Sequence, residues 1–452
     1  MLISVVVYCA ALTHLAWYLK SRVGFNFSLS SVLLIGLLTI HGPAYLHYIF
    51  YWGPGTDMFE KILANLDAEV VLERLNFALA ACFVFVILGM ETVSLVSPRP
   101  FACARRTLRQ WSILPLSTRY RPDPVLFPLM VLIILGFLAV TLMDSQISRI
   151  LDFVSSQGSE FEKIALRREF GGSQWYLYNV LLSSIAPFFC LVCLVLGYKR
   201  RNYRIALSGL ILTILTIIGK LATLSKAPVV VFVVQMMLAW ILVRQKRVSR
   251  KTTLWLAGIA FAGLSLVTAI AIPNLEIQQI PEFLYYRIFM VSNEVLLEYF
   301  AAIPEQIPHA WGTQIGLVAS LLGNSGDFIP NYSAVSAVTR GSYASTSTAM
   351  FIADAWGDFS WFGVIVFSFL AGAIVKGIDI YALRRGKTDE GVAIIVAGYY
   401  GIFTALSTSL TTAMLTGGLI TVPLLSASMI LVSRSIGTVF PKVARNQKAL
   451  LK

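Results

Sequence analysis

The chain has 452 residues, 57% of them hydrophobic and 13% charged, with a net charge of +13. Those proportions, with a mean hydropathy of +0.75, exclude a soluble globular domain and define a polytopic membrane protein. The positive charge does not indicate nucleic-acid binding, because the basic residues lie in short scattered groups rather than on one face interleaved with aromatics.

Apolar runs of about 20 residues, the length needed to cross a hydrocarbon core, recur along the whole chain. They are expected near 2–19, 29–51, 75–95, 124–143, 176–197, 205–223, 227–243, 253–272, 360–382, 391–410 and 413–433. The expected fold is therefore an all-α integral membrane protein of about 11 transmembrane helices, with large external loops that contain short helices. Residues 1–452 read as a single membrane domain, and external loops 144–174 and 273–360 are expected to form a cap over its active site.

Charge orients the spans. Alternate connections carry 25 of the 36 cations, in groups such as Arg105, Arg106 and Arg109, or Lys199, Arg200 and Arg201, while the opposite face carries 18 of the 23 carboxylates. The positive-inside rule makes the basic connections cytoplasmic. The N-terminus is then external and the C-terminus cytoplasmic. The first run lacks a basic segment before it and a small-residue cleavage site after it, so it reads as a retained helix.

Cys190 and Cys193 have a C-x-x-C spacing but sit inside an apolar run with no second pair and no His beside them, so they read as packing residues. No metal site or cofactor is expected.

The first external connection, 51–74, is acidic, and Met58, Ile62, Leu63, Leu66 and Val70 predict an amphipathic helix along it. The second, 144–174, carries Arg167 and Arg168 near the end of a helical pattern. Lys220 and Lys226 flank a tight external turn, from which either could snorkel to lipid phosphates. Lys226 opens a helix, where free N–H groups also favour an anion.

The third connection, 273–360, is a polar segment between strongly apolar runs. Its Arg287 and Glu294 lie seven apart, which at α-helical pitch places them on one face, and Glu298 continues the stripe. An ordinary surface helix tied to its loops explains the same pattern. His309 is the one His of four outside a predicted span; an exposed loop histidine is the plain reading. A helix is expected at 311–322. Arg340 precedes the hydroxyl-rich run Ser345 to Thr348, and Asp354, Trp356 and Asp358 follow at the entry to the next span. Asp358 also suits a helix cap, and Trp356 an interfacial aromatic belt.

External arginines over a bundle suit a pyrophosphate, which guanidinium matches bidentately. A nearby carboxylate or His could take a proton from an attacking sugar hydroxyl. Those are the parts of glycosyl transfer from a lipid-linked pyrophosphate.

Ser225-Lys226, the large loop before the last three spans, and Thr348-Ala-Met-Phe-Ile-Ala-Asp354-Ala-Trp-Gly-Asp-Phe-Ser-Trp-Phe362-Gly363-Val leading into Leu370-Ala-Gly372 together resemble the bacterial Wzy-type oligosaccharide repeat-unit polymerases. The Arg287 to Glu294 spacing resembles an Arg/Glu pair in the enterobacterial common antigen polymerase. The resemblance covers roughly 205–435. It departs from the family at Lys226, where Arg is usual, so bidentate geometry is lost there.

The resemblance implies a glycosyltransferase of GT-C-like architecture in the bacterial inner membrane, polymerising O-antigen or related repeat units at the periplasmic face. Donor and acceptor would both be undecaprenyl-pyrophosphate-linked oligosaccharides, with membrane lipids and a polysaccharide chain-length regulator as partners. Glu294, then Asp354, then His309 are the expected bases, with Arg287 at the reacting pair. Arg340, Arg167, Arg168, Lys226 and Lys220 are expected at the pyrophosphate, and Trp356, Asp358 and Tyr286 at the sugar. An O-antigen ligase shares the donor and the large loop. A polysaccharide or lipid flippase would instead carry mid-span charges and paired broken helices.

Overall fold

The computed structural model describes residues 1–63, 67–117, 126–143, 176–200, 203–223, 227–244, 250–272, 275–314, 329–341 and 347–439. The described residues are nearly all helical. They contain no strand, only an isolated bridge between Ser117 and Thr388.

In chain order the helices are α1 (Leu2–Tyr18), α2 (Leu29–Ile40), α3 (Pro43–His47), α4 (Asp57–Leu63), α5 (Ala68–Val96), α6 (Pro98–Gln110) and α7 (Leu126–Met143). Next come α8 (Tyr176–Val180), α9 (Ala186–Arg200), α10 (Tyr203–Ala222), α11 (Ala227–Arg244) and α12 (Arg250–Ala271). The rest are α13 (Ile280–Tyr285), α14 (Val291–Ala302), α15 (Asn331–Arg340), α16 (Phe351–Leu383), α17 (Asp389–Ser407), α18 (Leu410–Leu415) and α19 (Thr421–Val439). Five-residue π-helical turns follow α1, α3, α8 and α13.

Seven of these stretches are long and apolar enough to cross a membrane: Leu2–Val23, Leu29–Trp52, Ala68–Val96, Tyr176–Lys199, Tyr203–Ala222, Phe351–Leu383 and Asp389–Ser407. The other four predicted windows fall on helices whose apolar parts are shorter, Leu129–Val140, Pro228–Arg244, Ala257–Leu266 and Thr421–Val432. Large apolar side chains such as Leu88, Leu95, Leu132, Leu135 and Phe362 face outward from these helices, as lipid contact requires.

Several boundaries differ from the sequence reading, each for a local reason. The amphipathic helix expected across 51–74 is confined to α4, because Asp67 starts a new helix by accepting the Glu69 N–H at 3.1 Å and the Val70 N–H at 3.4 Å. Val70 therefore belongs to α5. The 29–51 run is interrupted at His41 and Gly42, where Pro43 opens α3. The 413–433 run is broken by Gly418, whose φ of 84° suits glycine alone. The helix expected from 360 begins at Phe351 and is kinked, since Phe359 and Ser360 leave helical geometry.

The chain forms two compact units. The first comprises Met1–Ala102, Ala257–Tyr381 and Gly401–Gly417. Within it α1 runs along α5, and α5 meets α16 at two glycines. A Cβ on Gly89 would lie 2.0 Å from the Phe369 carbonyl oxygen, and one on Gly372 would lie 2.0 Å from that of Val86. The two backbones approach closely only because both side chains are absent. Asp379 on α16 caps α2, accepting the Leu29 N–H at 2.8 Å and the Ser30 N–H at 2.9 Å.

At the centre of this unit lies α14. It packs against α4, α5 and α15, and every residue from Asn293 to Ala302 is buried. Asn293 on it fills the break in the second span: its Nδ2 donates to the Ile40 carbonyl at 2.9 Å, and its Oδ1 lies 2.9 Å from His41 Nδ1. A side chain from α14 thus serves the α2–α3 break.

The second unit comprises Cys103–Leu256, Ala382–Tyr400 and Gly418–Lys452. Its core pairs α9 with α10, where Cys193 packs on Gly209. Cys190 and Cys193 are both buried free thiols. Gln235 on α11 donates to the carbonyls of Val396 and Ala397 on α17.

Candidate functional site

The first unit gathers the ionisable residues of the third external connection around α14. Glu294 and Glu298, one helical turn apart, face Arg340 at the end of α15. Arg340 Nε donates to Glu298 Oε1 at 2.8 Å and its Nη2 reaches the same oxygen. Nη2 also lies 3.3 Å from Glu294 Oε1. Ser347 Oγ donates to the other Glu298 oxygen. Glu298 has no solvent-accessible side-chain surface, Glu294 retains 6%, and Arg340 28%. Gly341, with φ of 68°, ends α15 and leaves Arg340 in its last turn, where a cation is favoured by the helix dipole.

One guanidinium therefore serves two carboxylates, unequally. Glu298 takes two of its N–H groups and the Ser347 hydroxyl. Glu294 takes only the longer contact and a 3.5 Å hydrogen bond from Tyr286 Oη. Burial raises the Glu294 pKa above the ordinary carboxylate range, Arg340 opposes that shift, and the neighbouring Glu298 charge adds to it. Burial also raises the Tyr286 pKa, with Glu294 reinforcing it, so the phenol keeps its proton. Glu294 is the carboxylate of this cluster best placed to exchange one.

Arg287 stands differently from the stripe expected of it. It is exposed while Glu294 is buried, and the π turn Tyr286–Met290 separates them. That turn adds a residue to the local hydrogen-bonded ring and moves Arg287 out of phase with an unbroken α-helix. Its charge still acts on both Glu294 and Tyr286. Among the described residues it forms no hydrogen bond or ion pair.

Asp354, Trp356, Asp358 and His309 make a neighbouring group. Asp354 is half-buried and accepts the Tyr299 hydroxyl at 3.3 Å. Trp356 is 2% exposed, stacks on Phe300 with centroids 4.9 Å apart, and donates its indole N–H to the Ile303 carbonyl. The Arg74 guanidinium lies 5.6 Å from its ring centre. So little of the ring is open that it offers no face for a sugar to stack on. Asp358 is buried and accepts the N–H groups of Gly312 and Gln314, pinning the turn at Trp311. His309 places Nδ1 2.9 Å from the Trp356 carbonyl. The donor must be the imidazole, so Nδ1 carries the proton and Nε2 is left as its acceptor.

Lys220 belongs to the second unit. Rather than snorkelling, its side chain is 2% exposed, with Nζ 5.8 Å from the Phe232 ring centre and 5.0 Å from that of Tyr400. Arg167, Arg168 and Lys226 lie outside the described residues, as do the helices expected within 144–174. Of the helix expected at 311–322, residues 311–314 form a turn and the remainder lies outside the described residues.

Sequence reasoning underweighted Glu298, which the stripe touched without assigning a role, and Ser347, visible only as one hydroxyl in a polar run. It missed Tyr48 and Trp52 altogether. Tyr48 is buried, and its hydroxyl has no hydrogen-bond partner among the described residues.

Fold and cluster together define a multi-pass membrane protein, nearly all helical among the described residues, in which a partly exposed arginine bridges two buried glutamates. No family profile, curated protein or solved structure matches the chain.

Proposed function

We propose that this protein is a membrane glycosyltransferase that polymerises undecaprenyl-pyrophosphate-linked oligosaccharide repeat units of O-antigen or a related surface polysaccharide. The reaction takes place at the periplasmic face of a bacterial inner membrane. In this reading all eleven apolar helices span the bilayer, the N-terminus is periplasmic and the C-terminus cytoplasmic.

One observation supports it above the others: an exposed arginine that has no ion-pair partner among the described residues, Arg287, acts electrostatically on a buried carboxylate whose pKa burial raises, Glu294. An acceptor sugar hydroxyl attacks the anomeric carbon of the lipid-linked chain. The new C–O bond forms as the bond to pyrophosphate breaks, with inversion, and Glu294 takes the hydroxyl proton. Arg287 neutralises the departing lipid pyrophosphate, a weak base that needs no general acid. Arg340 is engaged by Glu298 and holds Glu294 in place. Asp354 and His309 Nε2 are the next bases in order.

A deletion strain complemented with Arg287→Ala or Glu294→Gln tests the assignment on a gel of surface glycans. Loss of the repeat-unit ladder is expected from both. Normal long chains from both would remove this pair from the reaction. The deletion itself separates the neighbouring activities: lipid A core bearing single repeat units fits a polymerase, bare core fits a ligase, and unchanged glycans exclude both.

A further inference from the structure

We propose that Trp52, Tyr285 and Tyr286 form a saccharide-stacking subsite leading to Glu294, which holds a pyranose ring of the glycan being joined. The proposal rests on the glycosyl-transfer reading above and names where that substrate is gripped.

Two segments distant in sequence build the patch. Trp52 ends the π turn Tyr48–Trp52, and Tyr286 opens the π turn Tyr286–Met290. The two rings stack at 28° with centroids 6.1 Å apart. Tyr285 packs edge-on to Trp52, and its hydroxyl lies 3.2 Å from His47 Nδ1. Tyr285 is 38% exposed and Trp52 half-buried, so some ring surface remains open, in contrast to the enclosed Trp356.

A pyranose offers an apolar C–H face and a rim of hydroxyls. Aromatic faces suit the first; a carboxylate and a guanidinium suit the second. Here the ring cluster runs directly into such groups, because Tyr286 donates its hydroxyl to Glu294 and Arg287 follows it in sequence. An independent observation marks the same place. The Tyr48 hydroxyl, buried and without a partner among the described residues, lies within the electrostatic reach of Glu294, Glu298, Tyr286 and Arg340. A buried polar group left unpaired beside an aromatic wall is what a substrate hydroxyl would complete.

Aromatics that merely anchor a helix at the bilayer interface address lipid and headgroups singly. These pack on one another across two π turns, a distortion frequent at functional sites. They also lead inward to a carboxylate rather than outward to solvent.

Binding in nanodiscs tests the subsite with two probes: the lipid-linked repeat unit extracted from the deletion strain, and undecaprenyl pyrophosphate without sugar. Trp52→Ala is expected to weaken the glycosylated probe roughly tenfold while leaving the bare lipid unchanged. Trp52→Phe, which keeps a ring, should retain most of the affinity, and Tyr285→Leu should follow Trp52→Ala. The last two variants carry the test if Trp52→Ala does not fold. Equal losses on both probes, or none on the glycosylated one, would overturn the subsite. If the probes separate as expected but the deletion leaves surface glycans unchanged, the polymerase reading fails and the subsite stands.

Discussion

Arg340 directs both Nε and Nη2 to a single oxygen of Glu298, while reaching Glu294 with Nη2 alone. The asymmetry divides the labour of two otherwise similar carboxylates. Glu298 is the fixed counter-ion, and Glu294 is left under-compensated in a desolvated place.

Removing the guanidinium should therefore be more harmful than its surface position suggests. Arg340→Ala leaves Glu298 buried and unpaired, a loss of about 3 kcal/mol, at the lower end for broken buried pairs because Arg340 is partly solvated. Glu298→Gln should lose less, since Ser347 and one guanidinium N–H can still be accommodated. Thermal unfolding in detergent reads the order; equal and small shifts from both variants would contradict the division.

The raised Glu294 pKa sets a pH dependence in two opposite directions. Its folded-state pKa exceeds the unfolded one, so the protonated form is favoured by folding. The Glu294 contribution to stability is then largest at low pH and is lost as pH rises from the ordinary carboxylate range through the raised value. Glu294→Gln should flatten that part of the stability profile. Glycosyl transfer should do the reverse, rising with pH through the same window as the base becomes available. A pH–rate profile indifferent to Glu294→Gln would remove it from the base's role.

Much of this fold is legible in the sequence, for a simple reason. A helix in lipid must be apolar along its length, and seven of the eleven predicted runs fall on helical stretches long and apolar enough to cross a membrane. The site is less legible because its pairing is distant: Glu294 and Arg340 are 46 positions apart, and no local pattern joins them. The Arg287–Glu294 spacing presumes uniform α-helical pitch, which the π turn at Tyr286–Met290 breaks. The polar composition of 273–360 also conceals that α14 lies buried on all sides. Its Asn293, Glu294 and Glu298 are tolerated there only because His41, Arg340 and Ser347 arrive from elsewhere in the chain.

The helix crossing between α5 and α16 should be intolerant of any side chain. Gly372→Ala places a Cβ 2.0 Å from the Val86 carbonyl oxygen, where neither backbone can yield cheaply. A loss of about 3 kcal/mol or more is expected, the upper end for overpacking, and Gly89→Ala should match it. A melting point unchanged in either variant would mean the helices can separate without penalty.

Ser360 should respond in the opposite sense. Its φ of 56° with ψ of −143° is a conformation that only glycine adopts freely. Ser360→Gly is expected to stabilise the kink by about 1 kcal/mol, and Ser360→Val to destabilise it. A fall in melting temperature for the glycine variant would show that the serine hydroxyl, rather than the backbone, governs the bend.

Lys220 separates stability from function most cleanly. Its ammonium lies among the rings of Phe232 and Tyr400, with no hydrogen bond or ion pair to a carboxylate among the described residues. The cation–π contacts and the C-terminal end of α10 offset only part of its desolvation. Lys220→Met preserves the stem's packing and removes the charge, so the protein should be more stable, by about 1 kcal/mol or more. If Lys220 contacts the lipid pyrophosphate, the same variant should lose polymer length while melting higher. Lys220→Arg should recover the charge but overfill the space between the two rings, and so melt lower. A Lys220→Met protein that melts higher and still makes full-length chains would leave Lys220 with no part in binding the pyrophosphate.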